Sequence, residues 1–118
     1  MNSELDLRRD GGALIVTLRG ELDAADVRSI GHRLTREARK VLDGLIVDLS
    51  ELSYLDSPGV GLLFSIAEAE RARGRVMRIV VPPGAATRRV LQICSIDDVA
   101  ELHAAVDLAL ADLRRQRG

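Results

Sequence analysis

The densest group of residues able to carry chemistry in this chain is Asp56-Ser57-Pro58-Gly59. Proline is favoured where a helix opens, because its missing N–H would lack a partner there anyway. The spacing therefore predicts a helix start with Ser57 as N-cap and Pro58 as the first helical residue. A serine hydroxyl displayed at such a corner is a nucleophile, an acceptor for a modifying group or a plain cap. Its surroundings disfavour the nucleophile: Asp-Ser-Pro-Gly is not the Gly-x-Ser-x-Gly elbow of hydrolases, and no histidine follows a suitable strand. Asp56 as the acceptor of a receiver domain would require an acidic pair after the first strand and a lysine after a late one, and neither is present.

Other routes to catalysis also lack parts. The only lysine, Lys40, is remote from any glycine-rich corner, so no phosphate-binding loop is expected. His32 and His103 share no metal-binding spacing and fall where surface helix positions are expected, so no metal is predicted. Cys94 is the single cysteine, which excludes an internal disulfide and a cysteine-based zinc site; it reads as a small buried hydrophobe. The chain is expected to be neither an enzyme nor a cofactor carrier.

The elements that must position Ser57 follow from periodicity. Leu5 and Leu7, then Leu14, Val16 and Leu18, alternate with polar or outward positions at the two-residue period of strands, and Asp10-Gly11-Gly12 between them signals an antiparallel hairpin. Gly20-Glu21-Leu22 ends that alternation, and Asp23 caps a helix with Val27, Ile30, Leu34, Ala38 and Val41 inward, closed by Asp43-Gly44. The run 45–49 is apolar almost throughout, the pattern of a central parallel strand covered on both faces. After the Ser57 corner, Val60, Leu63, Phe64, Ile66 and Ala67 face inward, Glu68, Glu70, Arg71 and Arg73 crowd a solvated end, and Gly74 closes the helix. A strand over 76–81 stops at Pro82-Pro83-Gly84. Ala86, Val90, Ile93 and Cys94 then suggest a shorter helix. Ser95-Ile96-Asp97-Asp98 makes a loop to a brief strand near Val99. The last helix has Val106, Ala109, Leu110 and Leu113 inside and Arg114, Arg115 and Arg117 as a basic tail.

These elements predict an α/β fold: a single domain over 1–118, with a mixed four- to five-stranded sheet, an N-terminal antiparallel hairpin and about four packed helices. With 118 residues, 47% of them apolar and 30% charged, the chain is long enough for one core. A net charge of −1 argues against nucleic-acid binding; the arginines at 71, 73, 75 and 78 are diluted by Glu68 and Glu70 and read as a solvated helix end. The uncharged run 59–67 is far shorter than the roughly 20 residues that span a bilayer. Met1-Asn2-Ser3-Glu4 does not resemble a signal peptide, so a cytoplasmic location away from membranes is expected.

Gly20-Glu21-Leu22-Asp23, the strand ending in Asp48-Leu49-Ser50, and Leu52-Ser53-Tyr54-Leu55-Asp56-Ser57-Pro58-Gly59-Val60-Gly61 together resemble STAS domains, especially bacterial anti-sigma factor antagonists. The likeness extends over nearly the whole chain, including Val90-Leu91 and the Ser95-Ile96-Asp97-Asp98 loop. It implies that Ser57 is a regulatory phosphoacceptor and that the protein binds an anti-sigma factor, itself a serine kinase, to release a sigma factor, with a serine phosphatase reversing the mark. It also implies that Glu21, Asp23, Asp56, Pro58, Gly59 and Gly61 join Ser57 in partner contacts. ATP would belong to the kinase. Pro58 replaces the hydroxyl residue the family usually carries there, which removes an alternative acceptor and stiffens the loop; Ser95 stands where the family commonly has glycine. The resemblance also admits a non-switching accessory subunit of a lipid-transporting ABC system or a stress-sensing scaffold. It leaves the oligomeric state open.

Overall fold

The computed structural model describes residues 3–41 and 43–117, with Arg117 described by its backbone alone. Met1 and Asn2, and the Arg117 side chain of the expected basic tail, lie outside the described residues. The elements run β1 (Ser3–Asp10), β2 (Ala13–Leu22), α1 (Ala24–Ala38), β3 (Gly44–Leu55), α2 (Ser57–Ala72), β4 (Val76–Val80), α3 (Ala86–Ile93), a 3-10 turn (Ile96–Asp98), β5 (Glu101–His103) and α4 (Val106–Arg117). The strands form one sheet in the order β1-β2-β3-β4-β5, with β1 antiparallel to β2 and the remaining pairs parallel. The expected hairpin and α/β class are both present.

Each strand's alternation divides its side chains between two layers. Leu14, Val16 and Leu18 of β2, with Leu45, Val47 and Leu49 of β3, join the larger core under α1, α2 and α3. Ala13, Ile15, Ile46 and Val80 face the other way, against Ala109, Leu110 and Leu113 of α4. Burial on both faces is why 45–49 reads as a nearly unbroken apolar run.

Several expected positions differ. The helix α1 stops at Ala38 rather than at Asp43-Gly44, and Val41 is buried beyond its end. The strand β3 continues six residues past Leu49, to Leu55, because β2 keeps pairing with it through two register irregularities. Glu70 is not solvated: it is buried and bonded to Arg75. Arg75 and Arg78 likewise leave the expected exposed cluster, Arg78 being buried against Asp112. In α3 the inward residues are Thr87 and Leu91, one turn apart, with Val90 half-buried; Ile93 is 72% exposed and Cys94 is exposed. Ser95 has φ +60°, the left-handed region that glycine enters without strain, which accounts for a glycine preference at that position. No helix among the described residues is long and apolar enough to cross a membrane.

Candidate functional site

The site is assembled where β2 and β3 end side by side. Leu22 pairs with Leu55 and Glu21 with Tyr54, so the residues that follow, Asp23 and Asp56, leave the same edge of the sheet. Both cap the helix that comes next. Asp23 Oδ1 accepts from the Asp26 N–H at 3.0 Å, and Asp56 Oδ1 accepts from the Gly59 N–H at 3.3 Å. Two helix N-termini thus open at one end of the molecule, each with a carboxylate at its positive pole.

The irregular end of the β2–β3 ladder sets this edge. Gly20 pairs with Leu52 and Glu21 with Tyr54, which leaves Ser53 as the extra residue; its hydroxyl donates to the Gly20 carbonyl at 3.0 Å. A bulge of this kind bends a strand and re-aims the side chains beyond it. One consequence is that Tyr54, the only tyrosine, stands 51% exposed beside Glu21. Tyr54 is absent from the residues expected in the site: simple strand alternation puts it on the face of buried Leu52, and the extra residue Ser53 turns it outward.

Ser57 is not the cap that was expected. Asp56 has the extended cap conformation (φ −112°, ψ −174°), Ser57 is the first residue of α2 and Pro58 the second. The physical reason is simple: the second helical N–H is also without a partner in a helix, so proline there costs nothing and the carboxylate one residue earlier takes the capping role. The identity of the cap bears on chemistry, because a capping oxygen is occupied by a backbone N–H and the Ser57 hydroxyl is not the cap. Ser57 and Pro58 are exposed, and Ser57 lines a shallow depression of about 300 Å³ with Leu55, Asp56, Val60, Val90 and Cys94. Cys94, expected to be buried, is exposed and lines the same depression.

The two glycines of the motif separate. Gly59 is buried, and a Cβ there would come within 2.6 Å of Leu55 Cδ1 and 3.2 Å of Leu22 Cδ2, so its role is to let α2 close on the paired strand ends. Gly61 is exposed with nothing within 4 Å of an added Cβ, which leaves its backbone open to an approaching surface. Glu21, Asp23, Asp56, Ser57, Pro58 and Gly61 are therefore gathered on one end of the fold, while Gly59 lies beneath it.

A second cluster, unforeseen from sequence, gathers Glu101, His103 and Asp112, whose ligand-type atoms lie within 4.8 Å of one another. His103 belongs to β5 rather than to a helix surface, and its Nε2 is 3.7 Å from Asp112. Arg78 Nε donates to Asp112 Oδ2 at 2.5 Å and holds that carboxyl below the usual carboxylate range. A guanidinium already on the central carboxylate makes this an ion-pair network tying α4 to β4.

Known proteins share this architecture. The family model described as STAS domain matches residues 4–109. Osmosensory protein A of Mycobacterium tuberculosis is 38% identical over 71 residues, 60% of this chain and 44% of that protein, so the match spans less than half of that relative's length. The anti-sigma-B factor antagonist of Listeria monocytogenes is 27% identical over 107 residues, covering 86% of this chain and 90% of the relative. Among solved structures, an anti-sigma factor antagonist from Mycobacterium paratuberculosis superposes with a TM-score of 0.85 at 21% identity, over 95% of this chain and 94% of that one.

Proposed function

Because the chain belongs to the STAS domain family, we propose that it is an anti-sigma factor antagonist whose partner binding is switched by phosphorylation of Ser57. The unmodified face of Glu21, Asp23, Asp56, Ser57, Pro58 and Gly61 would dock on an anti-sigma factor with serine kinase activity in the cytoplasm and so release a sigma factor; a serine phosphatase would restore it. The observation that carries the reading is the exposed Ser57 hydroxyl at the first position of α2, with Asp56 in place of it as the cap. The Listeria relative, named an anti-sigma-B factor antagonist and alike over most of both chains, supports the partner class.

The switch follows from charge. A phosphoserine adds about −1.5 to −2 charges, and at a helix N-terminus the dipole and free N–H groups accommodate them, so the fold persists. On the surface the same charge stands next to Asp56 and near the other capping carboxylate, Asp23. Burying it against a partner shaped for a neutral hydroxyl is penalised by desolvation and like-charge repulsion. The protein acts as substrate and ligand, and the ATP belongs to its kinase.

The test is to capture the partner from the source cytosol on immobilised protein, add ATP and map phosphate by mass spectrometry. Phosphate on Ser57, absent from Ser57→Ala, is the expected result; phosphate elsewhere, or undiminished in the variant, would contradict it. The name of the osmosensory relative favours a second reading, a stress-sensing scaffold in which Ser57 stays unmodified, and the same experiment separates the two.

A further inference from the structure

We propose that the outer edge of β1 pairs with the same edge of a second copy of this chain, giving a two-fold dimer whose sheet runs through both. Among the described residues β1 pairs with β2 alone, so one edge of this eight-residue strand has no strand beside it. Only Gly11 and Gly12 separate β1 from β2, and Gly11 has the positive φ, +61°, that such a turn can require at its first position. A two-residue turn closes on a pair that shares both backbone bonds, here Asp10 and Ala13. Counting back by twos, Arg8, Asp6 and Glu4 also bond to β2. Leu5, Leu7 and Arg9 therefore turn their N–H and C=O groups to the open edge, a ready template for another strand.

The charges along this edge select a second copy as the occupant. Charged edges usually guard a sheet because they repel a like strand, but here the signs are self-complementary. Arg8 lies opposite Ile15, which faces α4, so Asp6 and Arg8 share that face of the sheet. Opposite residues of an antiparallel pair stand on one face. With Leu7 on the two-fold axis, Asp6 of each copy therefore meets Arg8 of the other. Both are available: Arg8 is exposed and makes no ion pair among the described residues. The Asp6 side chain is 63% exposed, with Arg19 at 3.8 Å, and Arg19 is held closer by Glu51 at 3.0 Å. Glu4 then faces Asp10, whose charge is already met by Arg114 at 2.7 Å. Moving the axis to a neighbouring residue of that face sets Asp6 against Asp6 or Arg8 against Arg8, which like charges disfavour. Because the paired strands are antiparallel, the Ser57 ends of the two copies point in opposite directions.

Sedimentation equilibrium of the full chain tests the dimer. One pair of strands is a small contact, so the parent is expected to pass from monomer to dimer at about 0.1 mM. Arg8→Asp and Asp6→Arg each set like charges across the axis and should each weaken dimerisation at least about tenfold. Mixed together, the two variants again place opposite signs at both positions, and a heterodimer about as tight as the parent dimer is expected. All the substituted positions are exposed, and dispersed amide spectra check that each variant is folded. Glu4→Lys, facing Asp10, should leave the dimer intact or tighten it. A parent that stays monomeric to about 1 mM, single variants that dimerise like the parent, or a mixture that stays monomeric would overturn the proposal. Weakening by Glu4→Lys would overturn the register. None of these readings uses Ser57 or its partner, so failure here is distinct from failure of the switch.

Discussion

At the residue scale, the division of labour between Asp56 and Ser57 decides what the corner can do. A cap is a structural commitment: losing it costs about 1 kcal/mol. An exposed first-turn hydroxyl carries no such commitment, and substitutions of that kind stay within about 0.5 kcal/mol. Asp56→Ala should therefore lower the unfolding free energy by about 1 kcal/mol, while Ser57→Ala leaves it nearly unchanged, as read from urea unfolding. The reverse order would return the cap to Ser57. This corner was legible in the sequence to within one residue. Proline marked the helix start but fits the first and second helical positions alike, and only backbone geometry separates them. Asp23 was read correctly because Ala24 and Ala25 give no competing marker and Asp26 completes the acidic first turn. Cys94 and Ile93 were misplaced for a different reason. An eight-residue helix holds barely two turns, and its apolar letters alone did not disclose that Thr87 and Leu91 take the inward face.

At the scale of elements, the strands and the long helices were readable from period and punctuation, whereas the ion pairs that join them were not. Glu70–Arg75 and Arg78–Asp112 look like surface charges in a list of letters, and tertiary packing alone brings them inside. The second pair yields a pH dependence. Arg78 holds the Asp112 carboxyl below its usual value of 3.8, against the opposing effect of burial, with His103 and Arg115 on the same carboxylate and Glu101 beside His103. Between that usual value and the lower folded one, the unfolded chain binds the proton more readily than the folded chain does. Stability from this group is thus present above about pH 4 and is lost as the pH falls through the folded value. Asp112→Asn should cost about 3 kcal/mol at neutral pH by leaving Arg78 buried without its counter-charge, and the gap to the parent should narrow below about pH 4. Urea midpoints at about pH 7 and about pH 3 measure it. A gap that is constant or widens in acid would contradict the assignment. The extension of β3 to Leu55 was likewise hidden, because Ser50, Glu51 and Ser53 interrupt the apolar pattern where the ladder is bulged.

At the scale of the whole molecule, parallel strands deliver their loops to one end, and that end collects Glu21, Asp23, Tyr54, Asp56, Ser57 and Gly61. Such a layout separates a rigid sheet from a small chemical face, so that a change of one group can alter binding without unfolding the domain. The central claim is that charge at Ser57 releases the partner. The most direct measurement is a calorimetric titration of the captured anti-sigma factor with the parent protein, Ser57→Ala and Ser57→Asp. Ser57→Ala is predicted to bind within about threefold of the parent, and Ser57→Asp at least about tenfold more weakly, a loss of about 1.4 kcal/mol or more, with all three proteins equally folded. Equal affinity of the alanine and aspartate variants would contradict the account.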